Sequence, residues 1–152
     1  MKRQESCQAR ITANYHERQA EILRAMGIVR ASRKWAAEYD YPENKADWLE
    51  RWFESVLEFG PAGEYTRGIK VGSGCQAVRV LLSTGGPEDG FILGVKRNRY
   101  GWEVTEVHYW FSDWFDGAHM KIRAGSRFER ALMDLFEPWL DGLKFETEDE
   151  TL

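Results

Sequence analysis

His108, Asp113, Asp116 and His119 are the residues whose types best suit chemistry. Two imidazoles and two carboxylates so close along the chain could hold a divalent cation. Their setting argues otherwise: His108 falls inside a strand-like run, the other three fall on a loop, and no recognised ligand spacing links them. Ser83-Thr84-Gly85-Gly86-Pro87 has the small hydroxyls and glycines that can cradle a phosphate through backbone N–H groups. It lacks the lysine and following helix of a P-loop, and a hairpin turn explains it with less. Cys75 follows Gly72-Ser73-Gly74, but no helix start or basic pair stands by to lower its pKa. No Gly-x-Ser-x-Gly elbow is present. No residue is therefore assigned a catalytic, cofactor-binding or metal-binding role. Convergence of the four His and Asp residues on an ion, or a deep cleft floored by the Ser83–Pro87 bend, would point instead to a substrate.

Trp110, Asp113, Trp114, Phe115 and Asp116 suit a different task. Large rings beside carboxylates can grip a basic, partly apolar partner, so these five form the expected partner-binding set. The competing reading puts Trp110 in the core and has Asp113 cap the strand end through an Asx-type turn.

A chain of 152 residues with 43% hydrophobic and 30% charged residues has the make-up of one soluble globular domain. Seven tryptophans are many for its size, so either the core is aromatic-rich or some rings lie at a surface. The net charge of −4 argues against non-specific nucleic-acid binding. The charge is segregated. Lys2, Arg3, Arg10, Arg18, Arg24, Arg30, Arg33 and Lys34 make the first segment basic, and Glu38 through Glu64 make the next acidic. Acidic and basic faces that meet within the fold, or across a homodimer, are the simplest consequence. An acidic face that competes for another protein's nucleic-acid groove is the sharper one. Two cysteines suggest neither a disulfide framework nor a zinc site. The N-terminus lacks an apolar h-region, and no apolar run approaches the ~20 residues of a membrane span, so a cytoplasmic location is expected.

The elements that must position these residues read as helices at both ends and strands between. Ile11, Tyr15, Ile22, Met26 and Val29 place one stripe on a helix over Glu5 to Lys34, weakened at Gly27. A second helix is expected from the N-cap Asn44, through Trp48, Leu49, Trp52, Phe53, Val56 and Leu57, to a stop at Gly60-Pro61. Its apolar face is either core or a dimer seam. A weak strand is expected over Tyr65–Val71, then strands at Val78–Ser83 and Phe91–Lys96. The longest strand, Trp102–Phe111, has Val107, Tyr109 and Phe111 on one face and Trp102, Val104, His108 and Trp110 on the other. Ser126 and Glu129 have capping-box spacing before an apolar helix that ends near Gly142. The expected fold is α+β: a three- to four-stranded antiparallel meander flanked by N-terminal helices and one C-terminal helix. Residues 1–145 make a single domain and 146–152 an acidic flexible tail.

Leu81-Leu82-Ser83-Thr84-Gly85-Gly86-Pro87, a strand, a turn and a strand, then Asp113-Trp114-Phe115, resemble a family of small phage- and prophage-encoded proteins without an assigned reaction. Those proteins also carry a helical part before the strands. Ser112 stands where their Gln is usual, and Glu88-Asp89-Gly90-Phe91 replaces their Ala-x-Arg-Ile. The resemblance implies a mobile-element protein in the bacterial host cytoplasm and carries over no catalytic residues. Small phage accessory proteins often act by stoichiometric binding, with host-defence nucleases among their targets. The expectation is a non-enzymatic inhibitor, anti-CRISPR in kind, whose partner is a host protein or protein complex. A nucleotide binder or small enzyme at the Ser83–Pro87 turn is the alternative, and a nucleic-acid-associated factor using the basic first helix is the third.

Overall fold

Hydrophobic alternation in the middle of the chain builds one antiparallel sheet, and every helix that packs on it does so from one side. The computed structural model describes residues 6–114 and 116–145. The sheet has five strands in sequence order: β1 (Glu58–Pro61), β2 (Gln76–Ser83), β3 (Glu88–Asn98), β4 (Gly101–Asp113) and β5 (Asp116–Lys121). The helices are α1 (Cys7–Ala25), α2 (Arg33–Glu38), α3 (Trp48–Glu54) and α4 (Arg127–Leu140). The α+β meander is as expected, with more strands than the three or four read from the sequence. The expected acidic tail, residues 146–152, lies outside the described residues. No helix among the described residues is long and apolar enough to cross a membrane.

The strands not read from the sequence are the two edges, β1 and β5. Glu58-Phe59-Gly60-Pro61 is strand β1 and not a helix stop. It forms an edge strand, where a proline without an N–H is tolerated. The preceding helix is correspondingly short: the Asn44 side chain caps a 3₁₀ turn at Lys45–Asp47, and α3 ends at Glu54. The strand expected over Tyr65–Val71 does not form. Within it, Arg67 and Gly68 take φ values of 58° and 76°, which no extended run can contain.

The single long N-terminal helix is likewise two. After Ala25, Gly27 turns at φ 75°, with its N–H on the Arg24 carbonyl and the Ile28 N–H on the Leu23 carbonyl. This glycine-ended crossing of hydrogen bonds is the Schellman stop. Ser32 then caps α2 by accepting from the Trp35 N–H. At the other end, the Ser126 hydroxyl accepts from the Glu129 N–H as expected, while the Glu129 carboxylate reaches back to the N–H of Gly125.

One residue decides which rings face the core. Gly94 pairs with Glu106 but Val95 pairs with Val104, so Thr105 is an extra residue in β4. The bulge turns Trp102 and Val104 to the same side as Val107, Tyr109 and Phe111, opposite to strict alternation. On that side β2, β3 and β4 contribute Val80, Phe91, Leu93 and Tyr109, packed against Ile11 and Ile22, Trp48 and Trp52, and Phe128, Leu132 and Phe136 from the helices. The apolar face of α3 is thus core, through Trp48 and Trp52. The opposite side holds a smaller cluster, Ala62, Ile69, Leu81, Ile92 and Trp110, covered by the loop between β1 and β2.

Gly90 makes this packing feasible. A Cβ there would sit 1.9 Å from the Val80 carbonyl oxygen and 3.0 Å from the Trp110 ring. Gly90→Ala is expected to lose about 3 kcal/mol in urea unfolding. Gly60→Ala, with nothing within 4 Å of the added carbon, stays within about 0.5 kcal/mol of the parent.

Candidate functional site

Three aspartates at one end of the sheet meet the basic first helix. Asp89 is the second residue of β3, Asp113 closes β4 and Asp116 opens β5. Asp89 is buried and accepts four hydrogen bonds: 2.6 and 2.8 Å from Arg18 Nε and Nη2, 2.5 Å from the Ser83 hydroxyl and 2.6 Å from the Tyr109 hydroxyl. Burial by itself would raise its pKa. The Arg18 bonds and charge, with the two hydroxyls, outweigh burial and leave it lowered. Tyr109 is driven upward by burial and by the Asp89 charge. The network thus holds an ionised acid and a protonated phenol, with the carboxylate's lone pairs occupied.

Asp113 and Asp116 serve the same helix. Arg10 Nη1 lies 2.5 Å from Asp113 Oδ2. Asp116 Oδ2 accepts the Cys7 N–H at 2.6 Å at the start of α1, and that bond lowers its pKa. Burial, then the Asp116 charge, pushes the Cys7 thiol up, away from the reactive thiolate.

The four residues weighed as metal ligands do not converge. His108 faces the side of the sheet away from α1, where its Nε2 lies 2.7 Å from Glu106 Oε1, and Glu106 also accepts the Gly72 N–H. Asp113 faces α1. His119 pairs with Trp110 across the strands. No group of three or more His, Cys, Asp or Glu among the described residues could hold a metal ion. The Ser83–Pro87 segment is a turn, and its hydroxyls bond to carboxylates of this chain: Ser83 to the buried Asp89 and Thr84, at the surface, to Glu88 at 2.9 Å. Ser83, Pro87 and Asp89 do border a cleft of about 550 Å³ on the helical side.

The expected partner-binding set is divided by the structure. Trp110 is buried, with the guanidinium groups of Arg67 and Arg79 over its ring at 4.5 and 5.8 Å. Asp113 and Asp116 are bonded to α1. Phe115 lies outside the described residues. Trp114 is 85% exposed at the tip of the β4–β5 hairpin, in a left-handed conformation at φ 57°.

Around Trp114 the face opposite the helices carries a groove of about 880 Å³. Its walls include Tyr65, 62% exposed, with Arg67, Arg79, Glu58 and Glu88. Arg67 pairs with Glu88, and Arg79 with Glu58 at 2.8 Å. A smaller hollow of about 290 Å³ shares Arg67, Ser112 and Trp114 and reaches Trp110. Two features set the region apart. Arg67 and Trp114 are both non-glycine residues with positive φ, a strain that persists where the surrounding structure demands it. The buried Nε of Arg79, Nδ1 of His108 and Nε1 of Trp110, all on this face, lack a hydrogen-bond partner among the described residues. Sequence reasoning missed Tyr65, Arg67 and Arg79. Arg79 had a visible signal, as the polar residue alternating with Val78 and Val80. Arg67 had none, because its loop reads as a weak strand.

No protein-family model matches the chain, and no curated protein or solved structure gives a significant match.

Two measurements test this account. Asp89 carries a lowered pKa, so its contribution is present above the ordinary carboxylate value of about 3.9 and is lost as pH falls through the folded-state value. Among the described residues, Asp89→Asn leaves Arg18 only the more distant Glu21 carboxylate, at 3.4 Å, and should cost about 3 kcal/mol at pH 7. Its urea midpoint should then fall less steeply than the parent's below about pH 4. Trp114→Gly relieves a left-handed side-chain-bearing residue, so unfolding should show unchanged stability or a gain of up to about 1 kcal/mol.

Proposed function

We propose that this chain is a phage or mobile-element accessory protein that binds a host protein complex stoichiometrically and without catalysis. A bacterial defence complex, as in anti-CRISPR inhibition, is the target class. The observation that carries the reading is Trp114, presented at a hairpin tip in a strained backbone and almost fully exposed. Trp, Tyr and Arg are the residue types that dominate binding energy at protein interfaces. Trp114, Tyr65, Arg67 and Arg79 supply all three types on one face, with Glu58 and Glu88 among them as polar rim.

The saturated Asp89 network supports the non-enzymatic half of the proposal, since it spends the buried acid on structure. The nucleic-acid alternative is weakened by the same geometry. Arg10 and Arg18 of the basic helix turn inward to Asp113 and Asp89, and that part of its positive charge is neutralised inside the fold. The Leu81–Pro87 and Asp113-Trp114-Phe115 resemblance supports the mobile-element origin.

The test is a titration. Increasing amounts of the chain are added to a purified host defence nuclease, with bound mass read by native mass spectrometry. Activity should fall linearly and reach its floor at about one chain per binding site. Trp114→Gly should abolish the effect, and Tyr100→Ala, exposed on the β3–β4 turn, should keep it. Loss of host activity at far below one equivalent would mean catalysis and would overturn the proposal. So would full potency of Trp114→Gly.

A further inference from the structure

The helical side of the sheet carries a cleft whose lining does not include Trp114. The cleft of about 550 Å³ lies between α1, the chain from α2 to α3, and the β2–β3 turn. Its volume suits a small ligand. Its floor is committed: Arg18 holds Asp89 through two bonds and lies 3.4 Å from Glu21, and the other Glu21 oxygen takes the Tyr41 hydroxyl at 3.3 Å.

The upper wall is differently made. Trp35 stacks on Tyr41 with ring centres 5.0 Å apart, and Tyr39 lies 5.2 Å from Trp35 with 55% of its surface exposed. Asp40, between the two tyrosines, takes φ 58°. A strained reversal therefore brings both neighbouring rings to the same tryptophan. Arg24 lies over the Trp35 ring at 5.3 Å, and Arg51 over the Tyr41 ring at 5.6 Å. Among the described residues Arg24 pairs with no carboxylate. Arg51 spends its Nε on the Asp40 carbonyl at 3.2 Å. A guanidinium has five donors, so both retain several, and both residues line the cleft. Glu17 is the carboxylate at the exposed lip.

A ring surface between two guanidinium groups matches a ligand that joins a planar ring to an anion. We propose that this cleft binds a nucleotide, its base stacked on the exposed Tyr39 ring and its phosphate held by Arg24 and Arg51. Stacking on aromatic rings tolerates any base, and Arg holds phosphate through paired N–H donors. The site is independent of the Trp114 face, so either can fail alone. It also differs from a phosphate cradle at the Ser83–Pro87 turn, whose hydroxyls are already engaged.

The experiment is calorimetric titration of the full chain with adenosine and guanosine mono- and triphosphates, the free nucleosides, and inorganic tripolyphosphate. At least one nucleotide should bind with a dissociation constant below a millimolar, more tightly than its nucleoside and than tripolyphosphate. Arg24→Gln with Arg51→Gln should weaken it at least about tenfold. Tyr39→Ala, at an exposed position that leaves the core intact, should weaken nucleotide binding and leave tripolyphosphate unchanged. Thr84→Val should have no effect. Absence of nucleotide binding at millimolar concentration overturns the proposal. Equal affinity for tripolyphosphate, or parental affinity in the folded double arginine variant, overturns it too.

Discussion

The buried carboxylate of Asp89 is the constraint on which the rest of this structure turns. A charge at that depth is tolerated only when its oxygens are filled, and here Arg18, Ser83 and Tyr109 fill them. Such a pair adds little net stability over apolar side chains of the same volume, because desolvation offsets the attraction. Its effect is on geometry. Arg18 comes from α1, Ser83 from β2 and Tyr109 from β4, so one side chain on β3 sets the helix against three strands. Asp113 and Asp116 extend the arrangement along α1, through Arg10 and the Cys7 N–H. A helix whose own apolar stripe is thin thereby receives a defined position over the sheet.

That use of the aspartates divides the molecule in two. On the helical side, charge and aromatic surface are consumed by packing, except along the wall of Trp35, Tyr39, Arg24 and Arg51. On the other side, a loop covers only the small cluster around Ile92 and Trp110, and the strand ends stay open. The open side therefore concentrates exposed rings, arginines and strained backbone. Backbone strain of order 1–3 kcal/mol per residue is retained where neighbouring structure over-determines it. At Trp114 the determinant is the two-residue connection between Asp113 and Asp116, which pair directly across the hairpin.

Several features follow from residue order alone. The α+β class, the β2–β3–β4 meander, the turns at Gly85-Gly86-Pro87 and Asn98–Gly101, and the capped α4 rest on local periodicity and turn chemistry, which act over a few neighbouring residues. The residues that misled are equally local. Trp114 and its neighbour lack the Asn-Gly signature of a tight hairpin, so β5 read as loop. Gly60-Pro61 looks like a helix stop until β2 lies alongside to make it an edge strand. A single bulge at Thr105 puts Trp102 and Val104 on the face opposite to the one strict alternation assigns them, and a period of two cannot reveal an inserted residue.

The chain by itself determined the kinds of surface available: basic and acidic segments, abundant rings, and no recognised catalytic spacing. Only the tertiary structure decided which of these are spent and which remain. Asp113 and Asp116 look like ligands for a partner because Trp110, Trp114 and Phe115 flank them in sequence. Their actual partners, Arg10 and the Cys7 N–H, lie about a hundred residues away. Charge pairing depends on distance in space and on desolvation, and neither quantity is encoded in spacing along the chain.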